Sequence, residues 1–364
     1  MSLVSYAKIH SMKMARFAKY GLARAMASAN YKEPCGLFDY ASPSSYFNRR
    51  NIVEYQLSNS YYGLSSVLRI YSGYRGTVAV GIEHGAYFGS GDTGEIEKYN
   101  LPCVVTMGRY RQESLDGKIK RPIIPIGPYI AYANALLDAE EMEAWKKSYG
   151  RTLLVIPVHS VERVDLGFDE KAFFSFIEDA KSCFDIQTVL VCLYFTEIAN
   201  AATYEQKGYK VVCSGYRTDV DFLQRLRTYI ELSDYVITNA VGTHIGYSLF
   251  LKRPVSLFSQ QIDYDYSSRK RKAETNPFGG QSELRSNIEL MTSALQGLNS
   301  EISESHLVAT DPFWGYGLLK SPNELKELFE AAEAVLRRSA FSNKAYDLIW
   351  KDADVSRIFE RDRD

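Results

Sequence analysis

Short apolar runs alternate with longer amphipathic stretches along most of the chain, and the pattern is clearest between residues 151 and 258. There "RTLLVIPVHS" (151–160), "TVLVCLYF" (188–195), "YKVVCSG" (209–215), "DYVITN" (234–239) and "VSLF" (255–258) read as strands. Between them lie a helix at 169–183, an alanine-rich helix, a helix at 219–233, and one that ends in Lys252-Arg253 before Pro254. Apolar runs of about four to eight residues separated by helices predict βαβ units and a parallel sheet.

The preceding part shows the same alternation in a sparser form. "GTVAVGIEHG" (76–85), "LPCVVTMG" (101–108) and "RPIIPIGPYIAYA" (121–133) read as three more strands. The polar segment 134–150, closing on Gly150, predicts a solvent-facing helix that hinges two halves. After residue 259 the stretch "QQIDYDYSSRKRKAETNPFGG" predicts a loop. Ser321-Pro322-Asn323-Glu324 has the form of a capping box with proline at the first helical position. Leu325, Leu328, Phe329, Ala332, Val335 and Leu336 follow at helical spacing. The expected fold is therefore α/β: two Rossmann-like lobes with parallel sheets facing across a cleft, and a helical C-terminus. The expected boundaries are 1–140, 141–340 and a tail at 341–364. In open α/β sheets ligands sit beyond the carboxyl ends of the strands, so strand-end residues carry the functional argument.

Composition narrows the classes. With 46% hydrophobic and 24% charged residues the 364-residue chain is globular rather than disordered, and long enough for two domains. A formal charge of −1 gives no global attraction to nucleic acid, so any anion site must be local. No aromatic pattern frames the "RKRK" run at 269–272, which reads as a solvated face. Cys35, Cys103, Cys183, Cys192 and Cys213 show no C-x-x-C spacing, and Cys103, Cys192 and Cys213 lie in apolar runs. That pattern points to buried free thiols and a reducing, cytoplasmic setting. The basic first 30 residues read as a surface helix.

Several chemistry-bearing residues fall at predicted strand ends. Glu83-His84-Gly85 follows the first strand and opens a loop with Gly89, Gly91 and Gly94, where either Glu83 or His84 could move a proton. Side chains alternate along a strand, so only one of the two should face a cleft, and His84 is nearer the end. His159-Ser160 and Ser214-Gly215 close two strands of the second half, and Asn239 closes a third. Gly242-Thr243-His244 stands at the loop–helix joint that follows. There a glycine, a capping threonine and free helix amides suit a phosphate, although plain capping by Thr243 explains the same residues. Asp263-Tyr264-Asp265 is a D-x-D in the late loop, read as solvated rather than metal-binding.

Taken together, "IEHGAYFG", "PIIPIGPYI", "IPVHS", "SDYVITNAVGTHIGYSLFLKRPVSLF" and "FWGYGLLKSPNELKEL" resemble the bacterial surface-polysaccharide glycosyltransferases of the two-lobed GT-B type, which build capsule and lipopolysaccharide. The resemblance runs from about residue 76 to 330. It implies a nucleotide-sugar donor on the second lobe and a glycan or lipid-linked saccharide acceptor on the first. It also implies no cofactor or metal, and peripheral contact with the inner membrane. Gly242, Thr243 and His244 would lie on the donor phosphates, with His159 and Ser160 nearby. Arg217 and Asp219 would fall near the nucleoside, with Gly85, Ser214 and Asn239 completing the ligand-binding set. His84 or Glu83 would be the general base. Two other readings share these residues: a nucleotide-sugar epimerase or hydrolase, and a non-catalytic sugar- or nucleotide-binding subunit.

Overall fold

The computed structural model describes residues 11, 36–40, 54–91, 101–159, 165–265 and 282–341. Three short apolar runs make the first sheet: β1 (Gly81–Ile82), β2 (Val104–Thr106) and β3 (Ile123–Pro125), all parallel, in that order. Helix α1 (Leu64–Ser72) precedes it, led in by a 3₁₀ segment at Leu57–Gly63, and α2 (Arg109–Leu115) joins β2 to β3. The strands are shorter than the apolar runs that predicted them. Val78, Ala79 and Val80 are buried in extended chain before β1 rather than paired in it.

Helix α3 (Ala139–Tyr149) links the halves as its polar sequence predicts. Asp138 caps it reciprocally with Glu141, and no residue of it is fully buried. The second sheet holds β4 (Thr152–Ile156), β6 (Thr188–Leu193), β7 (Lys210–Cys213), β8 (Tyr235–Thr238) and β9 (Val255–Leu257), parallel in the order β7-β6-β4-β8-β9. Helices α4 (Glu170–Cys183), α5 (Ala201–Glu205), α6 (Phe222–Leu232) and α7 (Thr243–Phe250) connect these strands. Apolar residues are continuous in β4 because both its faces are covered. Leu153 and Val155 pack into one core with Phe173 and Ile177 of α4, while Leu154 and Ile156 pack into the other with Leu226 and Tyr229 of α6. Burying each such side chain stabilises the fold by about 1.5–3 kcal/mol.

Two elements differ from expectation. Asp263–Asp265 is not a loop: it forms β10, antiparallel to β5 (Asp165–Gly167), in a separate two-stranded piece. Helices α8 (Ser282–Leu295), α9 (Glu304–Trp314) and α10 (Pro322–Phe341) complete the described chain, and Ser321 and Glu324 exchange the expected capping bonds. α10 does not belong with the second lobe, where a boundary at 340 would put it. Its Phe329 packs on Tyr74, Glu333 accepts a hydrogen bond from the Tyr74 hydroxyl at 2.9 Å, and Tyr71 donates to the Lys320 carbonyl just before the helix. The chain therefore returns to the first lobe. The basic N-terminal segment, Cys35, the 269–272 run and the tail beyond 341 lie outside the described residues. No described helix is long and apolar enough to cross a membrane.

Candidate active site

The carboxyl ends of β1, β4, β6, β7 and β8 meet across one cleft. On the first lobe's side, β1 leads directly into Glu83, which is buried, and His84, which is not. Glu83 is 4% exposed, and its carboxylate holds the guanidinium of the equally buried Arg111 at 2.8 Å. Arg111 also donates to the Gly89 and Gly91 carbonyls and lies 4.6 Å over the ring of Tyr87. The loop after His84 is thus tied down through Gly91 rather than loose, and Gly94 lies outside the described residues. Glu83 anchors that tie through one carboxylate oxygen, which accepts from the Arg111 guanidinium. His84 stays partly exposed, framed by Tyr61 (ring centroids 5.4 Å apart, 82° between planes), Tyr62 (6.2 Å) and Tyr87 (6.1 Å).

On the second lobe's side, β8 ends in Asn239 and the chain enters α7 with Gly242 as its N-cap, extended at φ −156° and without a side-chain cap. Thr243 does not cap the helix. Its hydroxyl accepts a hydrogen bond of 3.0 Å from the Ala86 backbone N–H of the first lobe, beside Gly85. Plain capping is therefore not what the threonine does here; it fastens one strand-end loop to the other. Behind it, the Trp314 indole N–H donates to the Thr243 carbonyl at 3.1 Å, and its ring lies where any side chain on Gly246 would be. The α7 start is fixed from two directions.

The polar side chains at this edge are incompletely satisfied. Asn239, 2% exposed, accepts from the Val158 N–H at 2.6 Å, yet its amide nitrogen has no partner among the described residues. His244 keeps some exposure as a residue, but its Nε2 is shut off from solvent and likewise unpartnered. Burial, with a smaller contribution from the neighbouring His159, depresses its pKa to about 3, so the ring is neutral at physiological pH. Gln260, three residues past β9, has both carboxamide atoms buried without partners. Nothing in the sequence pattern singled it out. A buried polar group left unbonded costs about 1–3 kcal/mol.

The remaining expected residues separate into two groups. His159 stacks on Tyr194 at 4.0 Å and Arg217 lies 4.9 Å over Tyr61, both at the cleft. Ser214 and Asp219 are buried within the loop after β7. Asp219 pairs with Arg225 at 3.0 Å and accepts from the Asp221 N–H, and the Ser214 hydroxyl lies 3.4 Å from the Cys192 sulfur. These two hold the loop rather than present groups to the cleft, a correction of the expected ligand set. Ser160 lies outside the described residues. Tyr62 and Tyr194, whose hydroxyls hydrogen-bond to each other, were absent from the expected set because "SYYG" and "LYF" carry no local signal of function. Burial raises both phenol pKa values, so they act as neutral hydroxyls. Cys103, Cys192 and Cys213 are buried free thiols, and Cys183 is exposed. Asp263 accepts from the Gln261 side chain at 2.8 Å beside its strand pairing.

The observed arrangement is a two-lobed α/β cleft with neutral donors on one side and an imidazole on the other. No family model and no curated protein matches the chain. Among solved structures it is similar to the wall teichoic acid polymerase TagF, at 13% identity and a TM-score of 0.38 over 70% of this chain and 64% of that one. It is also similar to S. aureus MnaA solved with UDP (9% identity, TM-score 0.35, 79% and 82% covered). A third is the UDP-GlcNAc 2-epimerase of Methanocaldococcus jannaschii in complex with UDP-GlcNAc and UDP (11% identity, TM-score 0.36, 77% and 80% covered). The chain spans less than two thirds of the TagF structure.

Proposed function

We propose that this chain is a glycosyltransferase of surface-polysaccharide assembly, moving a sugar from a nucleotide-sugar donor to a glycan or lipid-linked saccharide. The observation that carries the reading is the juxtaposition across the cleft. The uncapped start of α7, with the unpartnered nitrogens of Asn239 and His244, faces the loop that presents His84. Helix amides and neutral N–H donors suit a diphosphate that gains charge as it departs. His84, an imidazole just past the end of β1, suits the deprotonation of an acceptor hydroxyl. In the step itself the acceptor oxygen bonds to the anomeric carbon and its proton passes to a His84 ring nitrogen. The bond from that carbon to the phosphate oxygen breaks, and its electron pair leaves with the nucleotide. His159, stacked on Tyr194 in the same cleft, is proposed to contact the donor. The reaction proceeds on this reading without a cofactor or metal, at a cytoplasmic place peripheral to the inner membrane.

Thermal-shift or NMR screening with CMP, CDP, UDP and GDP tests the donor site, and a wild-type chain that binds none of them ends the reading. With the donor identified, His84→Ala should lose about 100-fold or more in turnover while keeping nucleotide affinity. Conversion of the donor without any acceptor would instead favour the epimerase or hydrolase reading. Binding without turnover would favour a non-catalytic subunit.

A further inference from the structure

The segment that frames His84 comes from before α1, and it is held in place by the other lobe. Tyr62 has left-handed backbone angles (φ 56°, ψ 20°), and Gly63 follows at φ 71°. For a bulky residue such as tyrosine that conformation is unfavourable and persists only where the surroundings enforce it. Here they do, and each enforcing contact comes from the second lobe. The Tyr62 N–H donates to the Arg217 carbonyl at 2.5 Å, its ring lies 4.8 Å from Phe222, and its hydroxyl bonds to Tyr194. A side chain on Gly63 would run into the Val220 carbonyl. The Arg217 guanidinium then covers one neighbour of His84, sitting 4.9 Å from the Tyr61 ring that meets the imidazole edge-to-face.

We propose that Tyr61 and Arg217 are positioning residues for His84, through which the loop after β7 on the donor lobe sets the imidazole on the acceptor lobe. The inference rests on the reading of His84 as the base, and it places Arg217 on Tyr61 rather than on the nucleotide. Its consequence is that a nucleotide bound on the second lobe is sensed at His84.

The test uses the full chain with ¹³C-labelled histidine, whose five imidazoles give a resolvable set of ring signals, together with calorimetric affinities for CMP, CDP, UDP and GDP. In the ligand-free proteins, Tyr61→Ala and Arg217→Ala should displace the His84 signal, whereas Tyr61→Phe, which keeps the ring, should leave it near its wild-type position. Adding the nucleotide that binds should move the His84 signal in wild type and in Tyr61→Phe. In Tyr61→Ala and Arg217→Ala that response should be lost, with the nucleotide Kd within about threefold of wild type. Turnover should fall in those two variants through kcat rather than through KM for the donor. An undisturbed His84 signal in both alanine variants overturns the proposal, as does a tenfold or greater loss of nucleotide affinity in Arg217→Ala, which would make Arg217 a direct ligand. The ligand-free comparison decides the positioning role even if no nucleotide binds. If the His84 signal moves as expected while His84→Ala keeps wild-type turnover, the positioning stands and the assignment of the base falls.

Discussion

The two edges of the cleft are finished to different degrees. Beneath the first lobe's edge, Glu83 and Arg111 are paired, and Arg111 also bonds the carbonyls of the loop it supports. At the second lobe's edge, Asn239, His244 and Gln260 keep buried polar atoms unbonded within a scaffold that Thr243 and Trp314 hold rigidly. A buried ion pair fixes a geometry; a buried neutral group without a partner carries a cost that a polar partner would relieve. On the proposed reading the first edge would hold the imidazole and the second would exchange its cost for ligand contacts.

The contrast can be broken most forcefully at Arg111. Arg111→Ala leaves the Glu83 carboxylate buried and uncompensated, so urea unfolding should show a loss of about 3–5 kcal/mol. A loss below about 1 kcal/mol would mean that the first edge is not built on this pair. At the second edge the matching experiment is a pH series. The folded-state pKa of His244, about 3, lies below the unfolded value of about 6.5, so the unfolded chain binds the proton first. The stability contributed by the neutral ring is fully present above about pH 6.5 and is lost as pH falls from there towards 3, at no more than about 1.4 kcal/mol per pH unit. His244→Gln should remove that part of the slope, and parallel wild-type and variant curves over this range would refute it.

Smaller effects sharpen the same contrast. Thr243→Ala and His244→Ala should each weaken nucleotide binding, His244→Ala by about tenfold, corresponding to about 1.4 kcal/mol for a lost hydrogen bond to phosphate. Unchanged calorimetric affinity in both folded variants would take the phosphate away from α7. Gln260→Leu should leave the ligand-free protein no less stable, or more stable by about 1 kcal/mol, because it removes a desolvated amide that has no partner. Clear destabilisation in urea would show that the amide is already satisfied. Asp263→Asn, and EDTA added to the wild type, should change nucleotide affinity and turnover least of all; a strict requirement for magnesium or manganese that this substitution abolishes would make the D-x-D strand a metal site.

The second sheet was legible because its strands are buried on both faces, which writes them as unbroken apolar runs between helices. The first sheet was less so. β1 pairs at only Gly81 and Ile82, and most of the apolar run before it is buried without pairing. Alternation at a strand end could not name Arg111, the partner of Glu83, which comes from a helix 28 residues further on. The strand–loop–helix at 233–258 was visible, whereas the partner of Thr243 was not: the bond spans 157 residues and depends on how the lobes meet. Tyr62 was invisible for a different reason, since left-handed backbone is written in sequence as glycine or asparagine and only tertiary contacts impose it on tyrosine. Gln260 fits no motif at all.

The return of α9 and α10 to the first lobe has a mechanical consequence. Among the described residues the backbone passes between the lobes near 134–138, where the Leu136 N–H is tied to Thr228, and near 296–303, after Gly297 has bonded to Leu257 of β9; it also does so between Leu37, which accepts from Tyr229, and Glu54, which pairs with Arg69 of α1. Two bodies joined at one point can swing in any direction, as on a ball joint. Joined at several separated points they lose that freedom, and each crossing, with the Thr243–Ala86 bond, helps to keep His84 opposite α7.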